Sequence, residues 1–254
     1  MSVFALEFPE ISHILVWPDI FPSFNKVAFI GVLAVIVTAL IFFLAGRANA
    51  MVAPKGVRNV AEASVDFIQG DIVMQTIGRD GLGWTPFLLT IFFFVFFCNI
   101  TEIIPTFQMP ATARMAIPAT MALVVWVVYN ASGIKHQGFF RYLKSACFPP
   151  GVPKALYILV APIEFISTFI VRPFSLAIRL FANMLAGHLL LVTFAILTDA
   201  LITANTFFLK VIFVLPFFML VFLTAFEILV SVLQAYIFTI LTAVYIGGAV
   251  HPEH

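Results

Sequence analysis

Charge is what this sequence has least of. Asp, Glu, Lys and Arg make up 10% of its 254 residues, against about a quarter in an ordinary soluble domain. Cysteine is nearly absent too. Cys98 lies in an apolar run and Cys147 in a basic loop; two such residues are no disulfide framework and read as free thiols. The net charge of +1 says nothing about nucleic acid, and no basic run exists, so no nucleic-acid partner is expected. There is no G-x-x-x-x-G-K-[ST] phosphate loop, so the chain does no phosphoryl chemistry of its own. Its five histidines are scattered, and neither a metal nor a cofactor is expected. The first 25 residues carry Glu7, Glu10 and Asp19, with Lys26 following. That is not the basic start of a signal peptide, so the first apolar run reads as a retained span.

What fills the chain instead is apolar: 63% of the residues are hydrophobic and 31 are phenylalanine, against roughly 45–50% apolar in soluble domains. No soluble globule of this size could hide that surface, so the bilayer must be part of the solvent. The expected fold is an all-α integral membrane domain of five membrane-embedded helices and one surface helix. An outside segment, 1–26, precedes a first span at 27–45. A helical hairpin covers 86–131, its two runs joined by the Pro-rich link IPTFQMPATAR. A long hairpin, 160–248, comes last. Its runs, 160–198 and 207–248, would each reach about 60 Å, twice the bilayer core. An ordinary tilt of about 20° cannot absorb that length, so these helices are expected to tilt steeply and kink at Pro162, Pro173 and Pro216.

Residues 57–77 set Val57, Val60, Ala61, Val65, Ile68, Ile72 and Ile77 in a helical stripe, with Arg58, Glu62, Asp66 and Asp71 off it. This suits an amphipathic helix on the membrane surface. Basic residues fix the expected orientation. Segments 46–85 and 132–156 hold Arg47, Lys55, Arg58, Arg79, Lys135, Arg141, Lys144 and Lys154, against Lys26, Arg114 and Lys210 opposite. By the positive-inside rule the N-terminus is outside and the C-terminus cytoplasmic. No internal repeat or separate soluble domain is visible.

A few charges fall where the bilayer should be. Arg172, Arg179 and Glu164 lie in the fourth run, Glu227 in the fifth, and Glu102 closes the second. Intramembrane charges are costly and mark ion paths or relays. Arg172 and Arg179 are seven apart and share a face that Leu176, Asn183 and Ala186 continue. Arg172 also suits a snorkelling arginine at head-group level. Ala182, Ala186 and Gly187 leave room for another helix. No carboxylate occurs between Phe165 and Thr198, so the counter-charge of Arg179 must come from another helix or chain. Glu227, Ser231 and Gln234 form one polar stripe at i, i+4 and i+7, and the two faces could meet across the short link DALITANT. Glu102, beside Asn99 and before Ile-Ile-Pro, reads as an acid near a membrane edge.

RLFANMLAGH followed by EILVSVLQAYIFTILTAVYI resembles the F-type ATP synthase subunit a family. PFLLTIFFFVFFCNITEIIP resembles that family's second span. The resemblance implies that Arg179 is the essential arginine facing the carboxylates of a rotating c-ring, with Asn183 and Gln234 as polar neighbours. It assigns His188 and Glu227 to the outer half-channel; many bacterial members carry the acid first and the histidine second, and here they are exchanged. Glu164 corresponds to the acid of the cytoplasmic half-channel, at a separation from Arg179 one residue longer than usual.

The implied role is a stator subunit with two offset half-channels, coupling a proton gradient to rotation and ATP synthesis on other subunits. The implied partners are a c-ring, met by 172–190 and 227–245, and b-type peripheral stalk subunits, with one copy of the chain per complex. A stand-alone proton-coupled transporter would predict pseudo-symmetric halves with broken helices, and a purely structural scaffold would not need Arg179, Glu227 or Gln234 in the membrane.

Overall fold

The computed structural model describes residues 25–47, 55–104, 107, 109–148, 153, 156–204 and 206–250. The outside segment expected at 1–26 lies almost entirely beyond these, as do Lys154 and the C-terminal residues 251–254. The described residues are helical, with no strand among them. Five helical stretches are long and apolar enough to cross a membrane: Lys26–Gly46, Arg79–Ile100, Ala116–Gln137, Tyr157–Thr203 and Phe207–Val250.

Helix α1, Lys26–Gly46, starts at Asn25, whose Oδ1 accepts from the Ala28 amide at 3.0 Å. Such a cap satisfies one of the free amides of a first turn. Val27, Ile30, Ala34 and Thr38 face inward, while Val32, Val35, Ile36, Leu40 and Phe43 remain exposed, as expected of a helix whose outer face meets lipid.

Helix α2, Val57–Phe67, passes through a π-turn at Ile68–Val73 into Met74–Thr76. Its apolar stripe divides. Val57 and Val60 are exposed, but Ala61, Ile68, Ile72 and Ile77 are buried. The latter part packs on α3, Thr85–Ile100, and on α9, Val214–Val250. Phe67 meets Phe92 and Tyr236, with ring centroids 6.1 and 5.8 Å away. Only the first half thus has the free apolar face of a helix resting on a membrane surface. The second half belongs to the core, because three consecutive turns of Ile and Val match the aromatic wall of α3.

Helix α4, Ala116–Gln137, ends at Gly138 (φ 81°), from which the short amphipathic α5, Phe139–Cys147, folds back. A Cβ at Gly133 would overlap the Tyr142 ring, so the glycine seats α5 on α4. The fourth long span comprises α6, Tyr157–Ile166, a π-turn at Ser167–Val171, and α7, Arg172–Thr203. The fifth comprises α8, Phe207–Ile212, and α9. The irregularities fall close to the expected prolines: the π-turn lies between Pro162 and Pro173, and the α8–α9 break at Phe213 precedes Pro216.

Helix α9 is the axis of the bundle, packing on α3, α4 and α7. Its inner face is built from Ala235, Phe238, Ala243, Ile246 and Gly247. A Cβ at Gly247 would stand 2.7 Å from the Thr76 carbonyl oxygen. Small residues at such contacts let helix backbones approach, which is the main source of association in lipid. Thr239 and Thr242 donate to the carbonyls of Ala235 and Phe238, so neither hydroxyl is left unsatisfied in the apolar interior.

Candidate functional site

Three polar groups meet where α7, α9 and the link after α3 come together. His188 of α7 is 4% exposed, Glu227 of α9 5%, and Glu102, just beyond α3, 5%. His188 Nδ1 lies 3.5 Å from Glu102 Oε1, within ion-pair range and beyond a well-formed hydrogen bond. The Glu227 carboxylate lies against Gly187, where an added Cβ would overlap it. Ser231, fully buried, stands one turn further along α9. Both Glu102 oxygens, Glu227 Oε2 and Ser231 Oγ have no hydrogen-bond partner among the described residues.

Glu102 is the group that sequence reasoning undervalues. It reads as an acid at a membrane edge, yet the link after α3 folds back into the protein. Thr101 Oγ1 donates to the carbonyls of Cys98 and Met109, at 2.9 and 3.2 Å. Thr112 Oγ1 donates to Asn99 Oδ1, and the Glu102 amide donates to the Asn99 carbonyl at 3.1 Å. Met109, Ala111 and Thr112 are wholly buried, and the turn Ala111–Ala113 packs on α7. This clasp carries Glu102 inward to His188. The available signal is the Asn99/Glu102 pair itself, two polar residues one turn apart in a run of aromatic and aliphatic side chains.

Arg179 lies nine residues before His188 on α7, about 13 Å along the axis. It is half-buried, and no carboxylate among the described residues forms an ion pair with it. One turn on, Asn183 Nδ2 donates to Gln234 Oε1 at 2.9 Å. The expected meeting of the two polar faces is therefore a direct hydrogen bond between α7 and α9. Ala182, Asn183 and Ala186 are exposed around it, an open face of small residues.

Beyond Arg179, toward the other end, lies a second polar region. The Arg172 guanidinium sits over the Tyr245 ring, 5.6 Å from its centroid, instead of snorkelling toward lipid head groups. Tyr245 and Tyr129 are 5.8 Å apart. Tyr142 donates to Asn130 Oδ1 at 3.0 Å; burial pushes its phenol up to about 12, against the opposing pull of Arg172. Glu164 is half-buried on α6. Burial raises the Cys147 thiol, with the Glu164 charge acting in the same direction. The sequence-predicted residues thus fall into three groups: His188, Glu227 and Ser231 at one end; Arg179, Asn183 and Gln234 in the middle; Arg172 and Glu164 at the other.

Comparison with known proteins points one way. The family described as ATP synthase A chain matches residues 27–247. The ATP synthase subunit a of Frankia alni is 45% identical over 232 residues, covering 91% of this chain and 79% of that protein. That of Rhodococcus erythropolis is 42% identical, covering 90% and 83%. That of Beijerinckia indica is 40% identical, covering 91% and 89%.

Proposed function

The chain belongs to the ATP synthase subunit a family, and from that premise we propose that it conducts protons through two half-channels separated by Arg179. One observation supports the reading: along the span Tyr157–Thr203, Glu164 precedes Arg179 and His188 follows it, with Glu102 and Glu227 gathered on the His188 side. Glu102, His188 and Glu227 form the outer path and Glu164 the inner one, with Arg172 beside it. The orientation comes from the basic residues: N-terminus outside, C-terminus cytoplasmic.

The side chains dictate the chemistry. Arginine does not release its proton at any working pH, so Arg179 is no relay. Its charge favours the ionised form of a carboxylate brought beside it. A ring acid passing Arg179 gives up its proton, and the same charge repels a proton crossing directly between the paths. The exposed small residues Ala182 and Ala186 beside Asn183 suit close approach by a ring helix. The Asn183–Gln234 bond ties α7 to α9 where that approach occurs. Buried oxygens without donors at Glu102, Glu227 and Ser231 call for water or shared protons in an apolar setting, which is what a proton path holds. The c-ring and the peripheral stalk are the partners this reading requires.

Replacing Arg179 with alanine in the assembled enzyme tests it. Coupled ATP synthesis is lost while passive proton flux persists or rises. Retained ATP-driven pumping in reconstituted vesicles would overturn the assignment. Pumping measured with and without sodium identifies the ion.

A further inference from the structure

The span Tyr157–Thr203 is interrupted by the π-turn at Ser167–Val171. A π-turn holds one residue more than the α-turn it replaces, so it rotates the helix on its N-terminal side against the helix on its C-terminal side by about 100°. Glu164 lies before it; Arg172, Arg179 and Asn183 lie after it. In an unbroken α-helix Glu164 would stand about 80° from Arg172 and about 60° from Arg179 around the axis. With one residue absorbed, those offsets fall to about 20° and 40°, and Asn183 comes into line with Glu164. The turn thus gathers Glu164, Arg172, Arg179 and Asn183 into one stripe.

Such turns are rare and need support. Pro173 has no amide hydrogen. In α-register that deprives the Phe169 carbonyl of its donor, and in π-register the Thr168 carbonyl. Both carbonyls accept instead from side chains of α4. Trp126 Nε1 donates to the Phe169 oxygen at 3.0 Å, and Tyr129 Oη to the Thr168 oxygen at 2.7 Å. Tyr129 is 1% exposed, so its hydroxyl has no recourse to solvent. Tyr129 also abuts Tyr245, over which Arg172 rests.

We propose that Trp126 and Tyr129 are positioning residues: they hold open the π-turn that keeps Glu164 in phase with Arg172 and Asn183. This rests on reading Glu164 as the acid of the inner half-channel and adds what keeps it there. Neither residue touches a ring carboxylate or carries a proton.

The test reads helix phase and pumping separately, in intact ATP synthase carrying Cys98→Ser and Cys147→Ser. Single cysteines are introduced as Glu164→Cys or Ile163→Cys and treated with a membrane-impermeant maleimide. With α4 unchanged, position 164 reacts several-fold faster than 163, which is exposed and which this reading turns toward lipid. Trp126→Phe with Tyr129→Phe removes both donors, keeping an aromatic ring at each position. That ratio then collapses, and with Glu164 present pumping falls several-fold. An unchanged ratio in the assembled double variant overturns the proposal. Deleting Ile170 gives a second route should that variant not assemble. The turn becomes an ordinary α-turn, and the 164-to-163 ratio survives without the two donors; a reversed ratio overturns the proposal. Glu164→Gln separates the premise: wild-type pumping removes the role of Glu164, while the labelling ratio still reports on what holds the turn.

Discussion

At the scale of single residues, the function turns on how closely side chains are brought together. Gly187 is the clearest case, because any Cβ there would occupy the volume of the Glu227 carboxylate. Gly187→Ala is expected to displace that carboxylate and lower pumping by up to about a hundredfold, the scale of a misplacement near 1 Å, in an enzyme that still assembles. A wild-type rate would show that Glu227 does not work from this position. Tyr142 gives a pH signature. Its phenol is raised to about 12, above the ordinary value near 10. The folded state therefore keeps a proton that the unfolded state gives up, and this contribution to stability is present below about pH 10 and lost as pH rises toward 12. A tyrosinate titration should show a late component near 12 that Tyr142→Phe removes. Arg179, Asn183 and Gln234 were legible in the sequence because helical spacing alone sets them on facing stripes. Glu102 was not, because its partner His188 is far away in the chain and the clasp through Asn99 and Thr112 that turns the link inward leaves no periodic trace.

At the scale of elements, the Asn183–Gln234 bond is the seam between α7 and α9. Double-mutant analysis with Asn183→Leu and Gln234→Leu is expected to give a coupling of about 0.6–2 kcal/mol, the range for polar contacts between membrane helices. A coupling near zero would mean that the two helices are held by packing alone. Gly247→Val should weaken the docking of α9 on the segment ending at Thr76 by about 1–3 kcal/mol, read as a lower melting temperature of the detergent-solubilised complex. The five spans could be read from length and hydropathy, since a bilayer imposes that length on any helix crossing it. The π-turn could not. Pro173 announces a disturbance, but whether the helix kinks or widens depends on donors that α4 supplies from about forty positions away. The 57–77 stripe was readable as amphipathic, but its pattern does not say whether the apolar face meets lipid or the aromatic wall of α3.

At the scale of the whole molecule, the polar groups lie along a line through an otherwise apolar bundle, and the line is divided at Arg179. A stator with two half-channels opening on opposite sides needs a defined orientation. Lys144→Cys, on α5, should react with impermeant reagents in inverted vesicles and not in right-side-out ones. The opposite pattern would reverse the assignment of inner and outer paths. The basic segments carry the expected orientation in the sequence itself, whereas the meeting of Glu102, His188 and Glu227 emerges only when α3, α7 and α9 are packed.

The length of the last two spans has a consequence for how the chain is made. The first of them must leave the translocon before α9, which carries its partner Gln234, has been made. Arg172 and Arg179 alone cost about 5–7 kcal/mol at the centre of a lone segment, while each Leu, Ile, Phe or Val returns about 0.3–0.6. Roughly a dozen such residues are needed merely to break even on that scale, and a stretch of 47 residues supplies them with a margin that a minimal span would lack. The excess length of these spans thus also works as ballast during biosynthesis, carrying Arg172 and Arg179 into the membrane.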